Sequence, residues 1–305
     1  MGGSGGYSGY KDVSARPPVT SSVNGSQSSQ REIEINEFLE ELLKEINSRD
    51  IDAINTHLSE IEKTLGKDID GIEKILFGGS ISKSTFIEGT SDVDALVLLD
   101  SNTYRNKKPE ELQDAFMELL KTRFPKTEIT KGNLAVTVKF SDYEVQLLPA
   151  LRDGKGIKIA NGCSDTWSAA IDIKQFTNKL TAINKANANK VVPVIKLVKK
   201  LFSNLPELYQ PSGYHVEAMA VELFSTYSGR NTLYDMTKYY LDASVKRVLR
   251  PIADVTGQSN LIDSDLGPTN SINRQQLSHH INSIAGRFSG SDAVSVTKEL
   301  FGGVG

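Results

Sequence analysis

The sequence predicts an α+β chain in two lobes: a mixed sheet with helices first, a helical lobe second, and a site in the cleft between them. Three observations carry that expectation. Val93 to Leu99 is an apolar run of strand length, and two further strand-like runs follow it before residue 150. Beyond about residue 165 the apolar spacing becomes helical almost to the end. Gly78-Gly79-Ser80 precedes Asp92-Val93-Asp94, which puts phosphate-friendly backbone just ahead of two acids on a strand.

In chain order, residues 1–30 are rich in Gly and Ser with Pro17-Pro18, a composition that predicts a disordered arm. A core follows over 31–165. Apolar residues from Ile35 to Leu65 recur at helical spacing and predict two helices broken around Asn47 to Asp50. Strands are expected at Lys74 to Phe77, Val93 to Leu99, Leu134 to Phe140 and Glu144 to Leu148, with a helix over Pro109 to Phe124. Gly154, Gly156 and Gly162 make Ala150 to Thr166 read as loop. The helical lobe, 166–290, is expected to open with a helix over Asp165 to Leu180. Further helices follow near Lys190 to Phe202, Gly213 to Tyr227, Asn231 to Leu249 and Arg274 to Phe288. Residues 291–305 read as a flexible tail.

Composition narrows the classes. With 38% hydrophobic and 24% charged residues among 305, the chain reads as soluble and globular. A net charge of -3 argues against wrapping nucleic acid, which needs a dominant basic surface. One cysteine, Cys163, rules out an internal disulfide and fits a reducing cytoplasm. No apolar run reaches membrane-spanning length, and no signal-peptide core stands at the start.

Side chains on a strand alternate faces, so Asp92 and Asp94 point the same way. Two carboxylates fixed side by side repel each other, and a divalent cation resolves that conflict. Oxygen ligands with room for water and phosphate suit Mg²⁺ or Mn²⁺. Gly79 and Ser80 let the backbone approach a phosphate closely, and Ser91 precedes the acids.

This stretch resembles the signature of the nucleotidyltransferase superfamily that includes DNA polymerase beta: a Gly-Ser loop, then Asp-x-Asp on the next strand. The resemblance implies a polymerase beta-like fold and a two-metal displacement that releases pyrophosphate. Three more segments are similar to the cGAS/DncV-like nucleotidyltransferases, the oligonucleotide cyclases of bacterial anti-phage (CBASS) signalling. They are "EVQLLPA" from Glu144, "VIKLVKKLF" from Val194 and "SGYHVEAMAVELF" from Ser212. "LIDSDLGPTNSI" from Leu261 resembles a segment of the bacterial relatives. The resemblance assigns Lys196 to the donor triphosphate, and Ser212 and Tyr214 to holding the donor, with the tyrosine stacking on its base. Gly213 stands where that motif carries a second serine. His215 and Glu217 read as structural.

One position departs from the pattern. Gln146 stands where the third carboxylate belongs, and an amide cannot take a proton from an acceptor hydroxyl. Glu144 lies on the same face, about 6.6 Å along the strand. The expected activity is the joining of nucleoside triphosphates, with ATP as donor, into a cyclic di- or trinucleotide second messenger read by a downstream effector. The alternatives are a catalytically silent nucleotide-binding regulator and an RNA- or tRNA-tailing enzyme. The glycine-rich end implies, through the same resemblance, a ubiquitin-ligase-like protein conjugating the chain at Gly305.

Overall fold

The computed structural model describes residues 20–47, 51–77, 79–87, 93–141, 143–154, 156–161, 164–255, 261–290 and 293–302. The first half builds α1 (Thr20–Asn47), α2 (Ile51–Asp68), β1 (Ile72–Phe77), α3 (Gly79–Ser82), β2 (Val93–Leu99), α4 (Ser101–Tyr104), α5 (Pro109–Arg123), β3 (Glu128–Lys131), β4 (Val136–Lys139), β5 (Glu144–Asp153), β6 (Gly156–Asn161) and β7 (Ser164–Trp167). The second half is α6 (Ile173–Ala186), α7 (Val191–Phe202), α8 (Gly213–Phe224), α9 (Leu233–Arg247), α10 (Ile272–Ser289) and α11 (Ala293–Leu300).

The strands form one mixed sheet in the order β1-β2-β5-β4-β3, with β6 pairing β5 and β7 beyond it. β2 and β5 run parallel, while β1, β4 and β6 pair antiparallel with their neighbours. Strand periodicity divides the sheet. Val93, Ala95, Val97 and Leu99 of β2 share a cluster with Val145, Leu147 and Leu151 of β5, covered by Leu58, Ile61 and Leu65 of α2 and Leu112, Phe116 and Leu120 of α5. On the other face Leu96, Leu98 and Ala150 pack with Ile157, Ile159 and Ile171. Asp94 and Gln146 lie on this second face, at the end of the strands where the apolar cluster stops.

Five expectations need correction. Ala150 to Thr166 is not loop: β5 runs to Asp153, and β6 and β7 follow. Gly154 (φ +58°) sits at the turn and Gly156 at a close approach, where a side chain would meet the Ile171 backbone at 3.1 Å, and Gly162 lies outside the described residues. The helix expected from Asp165 begins only at Ile173, capped by the Asp172 carboxylate on the Lys174 amide at 3.0 Å. The arm expected over 1–30 is helical from Thr20, and the tail expected over 291–305 contains α11, whose Leu300 and the following Phe301 are buried. Finally, α1 does not belong with the sheet. Its Ile35, Leu39 and Leu43 are buried in the cluster of the helical lobe, whereas α2 covers the sheet.

The segment beginning at Leu261 has a structural task. Arg274 of α10 is fully buried; it donates to Asp263 Oδ2 at 2.7 Å and to the carbonyls of Asp263, Val248 and Gly267 at 2.9–3.0 Å. Asp263 also accepts from the Ile252 amide at 3.0 Å. His215 of α8 lies beside it, with Nε2 3.6 Å from Asp263 Oδ2.

Burial pushes the His215 imidazole down to about 4 although Asp263 pulls the other way, so the folded protein holds it neutral. The unfolded chain takes up that proton near pH 6.5, so this contribution is complete above pH 6.5 and lost as pH falls toward 4. The loss is expected to reach about 3 kcal/mol by pH 4. Denaturant unfolding at pH 7 and pH 4.5 checks this: His215→Gln should flatten the pH dependence, and parallel slopes would refute it.

Candidate active site

β2 and β5 pair in parallel with Asp94 directly opposite Gln146. Glu144, two residues earlier on the same face of β5, pairs with Lys139 of β4, Oε1 to Nζ at 3.5 Å, and is partly exposed. Asp94 is half-buried and Ser80 is buried. Gly79, at φ +52°, passes directly over Asp94: a Cβ there would stand 1.7 Å from Asp94 Oδ2 and 2.7 Å from its Cγ. Only glycine lets the chain lie this close to the carboxylate in this conformation. Asp92 and Ser91 lie outside the described residues, as do Cys163 and Gly305.

The helical lobe reaches the same place through α7 and α8. The Ser212 hydroxyl caps α8 by accepting from the His215 amide at 3.1 Å. That cap fixes Tyr214, whose hydroxyl donates to Asp254 Oδ1 at 2.9 Å and whose ring meets the Phe176 ring edge-on at 4.9 Å between centroids. Lys83, just after α3, lies over both rings, 5.2 Å from the Tyr214 centroid and 5.1 Å from that of Phe176.

Sequence reasoning chose Lys196 from the three lysines of α7. The structure turns Lys196 toward α1, where its Nζ donates to Asn47 Oδ1 at 2.5 Å; burial, and then Lys199, lower its pKa. Lys199 is the lysine that stands beside Gly213, its Nζ 3.2 Å from where a Cβ would be. It donates to the Thr85 carbonyl at 3.1 Å and to Glu217 Oε1 at 2.7 Å. Burial lowers its pKa, and Glu217 and Asp94 oppose that by favouring the ammonium. Glu217 in turn pairs with Lys83 and accepts from the Thr85 hydroxyl.

Spacing along the chain gives no sign of Lys83, Lys199 and Glu217 as a unit. One cue exists for Glu217: a carboxylate in the apolar run of α8 must find cations. The assembled site has an acid beneath a close-lying glycine, a buried serine, buried ammoniums and a tied-down tyrosine. Such a site suits a polyanion bearing a flat ring.

Residues 33–184 match the model of the Second Messenger Oligonucleotide or Dinucleotide Synthetase domain. Among solved structures, the fold is similar to Vibrio cholerae DncV, a cyclic AMP-GMP synthase in complex with a linear intermediate. There the TM-score is 0.62 at 10% identity, over 93% of this chain and 89% of that one. Escherichia coli MS115-1 CdnC, in its complex with HORMA-deltaN, gives a TM-score of 0.61 at 15% identity, over 83% and 90%. Elizabethkingia meningoseptica CdnE, a cyclic dinucleotide synthase with GTP and Apcpp, gives 0.58 at 15% identity, over 76% and 92%. At these identities the likeness to the solved structures is one of fold. Comparison with curated proteins finds no match. Among the described residues no helix is long and apolar enough to cross a membrane.

Proposed function

The chain belongs to the cGAS/DncV-like nucleotidyltransferases, and from that premise we propose that it joins nucleoside triphosphates into a cyclic di- or trinucleotide. The observation that carries the proposal is the placement of Asp94 under Gly79 and opposite Gln146, with the Lys199 ammonium close enough to be favoured by its charge.

The site fits Mg²⁺ or Mn²⁺. The Asp94 carboxylate, the Ser80 hydroxyl and the Gln146 amide oxygen are the hard oxygen donors such a cation takes, although among the described residues no three His, Cys, Asp or Glu side chains gather at one point. Asp94 would hold the metal together with Asp92. When bound, the metal neutralises triphosphate charge and makes an acceptor hydroxyl more acidic.

The remaining work falls to the chain. Gly79 and Ser80 let the backbone lie along the phosphates, with Ser91 close in sequence. Lys199 takes the triphosphate role expected of Lys196, because it is the lysine beside Gly213. Tyr214 offers its ring to the donor base, held in orientation by Asp254, while Ser212 fixes the start of its helix. The acceptor hydroxyl attacks the α-phosphorus, a P–O bond forms there as the bond to the β-phosphate breaks, and pyrophosphate leaves. A second such step closes a dinucleotide ring. Gln146 can orient but cannot take the proton; Glu144 can, once it exchanges Lys139 for the acceptor.

ATP as donor, a cytoplasmic setting and an anti-phage signal read by an effector complete the proposal.

Purified protein given all four triphosphates with Mg²⁺ is expected to yield a phosphatase-resistant product whose mass equals two or three nucleoside monophosphates less the same number of waters. Extension of added RNA, or bound nucleotide with no product, would overturn the proposal.

A further inference from the structure

Three groups from two parts of the chain converge on one carboxylate. Glu217 of α8 is 1% exposed; the Lys83 and Lys199 side chains around it are 9% and 5% exposed, and Thr85 is fully buried. Thr85 and Lys83 follow α3, the segment that begins with the glycine over Asp94, and the Thr85 amide donates back to the Ser80 carbonyl at 2.9 Å. Lys199 comes from α7, and Glu217 lies one turn beyond Gly213 and Tyr214 on α8. The cluster therefore ties the segment after Gly79 to both α7 and α8.

A buried ion cluster is a weak source of stability, since well-packed apolar side chains of similar volume often serve as well or better. Its position is informative instead. Two ammoniums that would otherwise swing to solvent are held in fixed geometry by one anion. One stands beside Gly213, and the other lies over the Tyr214 ring. Glu217 has no path to the reacting atoms except through these partners.

We propose that Glu217 is a positioning residue that anchors Lys83 and Lys199 against the phosphate side of the site, and so sets the preference for a triphosphate over a monophosphate. This rests on the triphosphate reading of the cleft given above. A monophosphate lacks the outer phosphates that these ammoniums would meet, so disturbing the anchor penalises the two nucleotides unequally.

The test is equilibrium binding of a non-hydrolysable ATP analogue and of AMP to the full chain in Mg²⁺. Wild type is expected to prefer the analogue. Glu217→Gln keeps the shape and an acceptor for Thr85 but loses the charge. It should bind the analogue about tenfold or more weakly, with AMP nearly unchanged, as expected for loss of charge-assisted contacts. In turnover KM should rise more than kcat falls, and Glu217→Asp should restore part of the ratio.

A folded Glu217→Gln that keeps the wild-type ratio overturns the proposal. A wild type with no preference for the analogue overturns instead the reading of the cleft on which it rests. Should Glu217→Gln fail to fold, Lys83→Met and Thr85→Val each remove one tie and should narrow the ratio by a smaller factor; an unchanged ratio in both has the same overturning force.

Discussion

Asp94→Asn is expected to reduce product about a thousandfold or more while leaving the fold in place. The substitution preserves volume on a half-buried strand position, so β2 keeps its pairing with β5 and its covered face. What disappears is one unit of negative charge at the point where the strand meets the cleft. A metal clamp supplies several kcal/mol of charge stabilisation, and about 4 kcal/mol corresponds to a thousandfold in rate. The effect also spreads to the helical lobe, because the Lys199 ammonium loses an anion that favours its charged form. Product formation by chromatography, with melting temperature measured alongside, checks this. Retained synthesis in a folded variant would remove Asp94 from the site.

Gly79→Ala is expected to be nearly as damaging by a different route. The added methyl would stand 1.7 Å from Asp94 Oδ2, 2.7 Å from Cγ and 3.0 Å from Cβ, so the whole carboxyl arm must rotate away or the loop must lift. Either movement exceeds 1 Å, and displacements of that size at a reacting centre cost about a hundredfold. Stability should fall by only about 1–2 kcal/mol, the penalty for a side chain at positive φ, because the clash falls on a side chain at the edge of the apolar cluster and not on backbone. The signature is therefore loss of activity far out of proportion to the loss in melting temperature. An active Gly79→Ala would mean that the loop does not approach Asp94 so closely in the working enzyme.

How much of this was legible in the sequence depended on the range of the interaction. The Val93–Leu99 strand and helices α7 to α10 follow from local periodicity, and their observed spans lie close to those expected. The tail helix also carries such a signal, in Val294, Thr297, Leu300 and Phe301, but the small residues around it obscured it. β6 and β7 were missed because their glycines read as loop punctuation, whereas one marks a hairpin turn and another a close backbone approach. At the candidate site, the closeness of Gly79 to Asp94 was foreshadowed because one short segment contains both. Which lysine of α7 stands beside Gly213 was not, since that depends on how α7 is rotated against Gly213 and α1. Thr85 and Glu217, 132 residues apart, meet only through tertiary packing.

Crystals grown with Mn²⁺ and a non-hydrolysable ATP analogue test the central claim most directly, by anomalous scattering from the metal. The account predicts a manganese peak about 2.1 Å from the Asp94 carboxylate, with the triphosphate between that metal and Lys199. An analogue bound with its manganese away from Asp94, or a triphosphate lying outside the cleft, would contradict it.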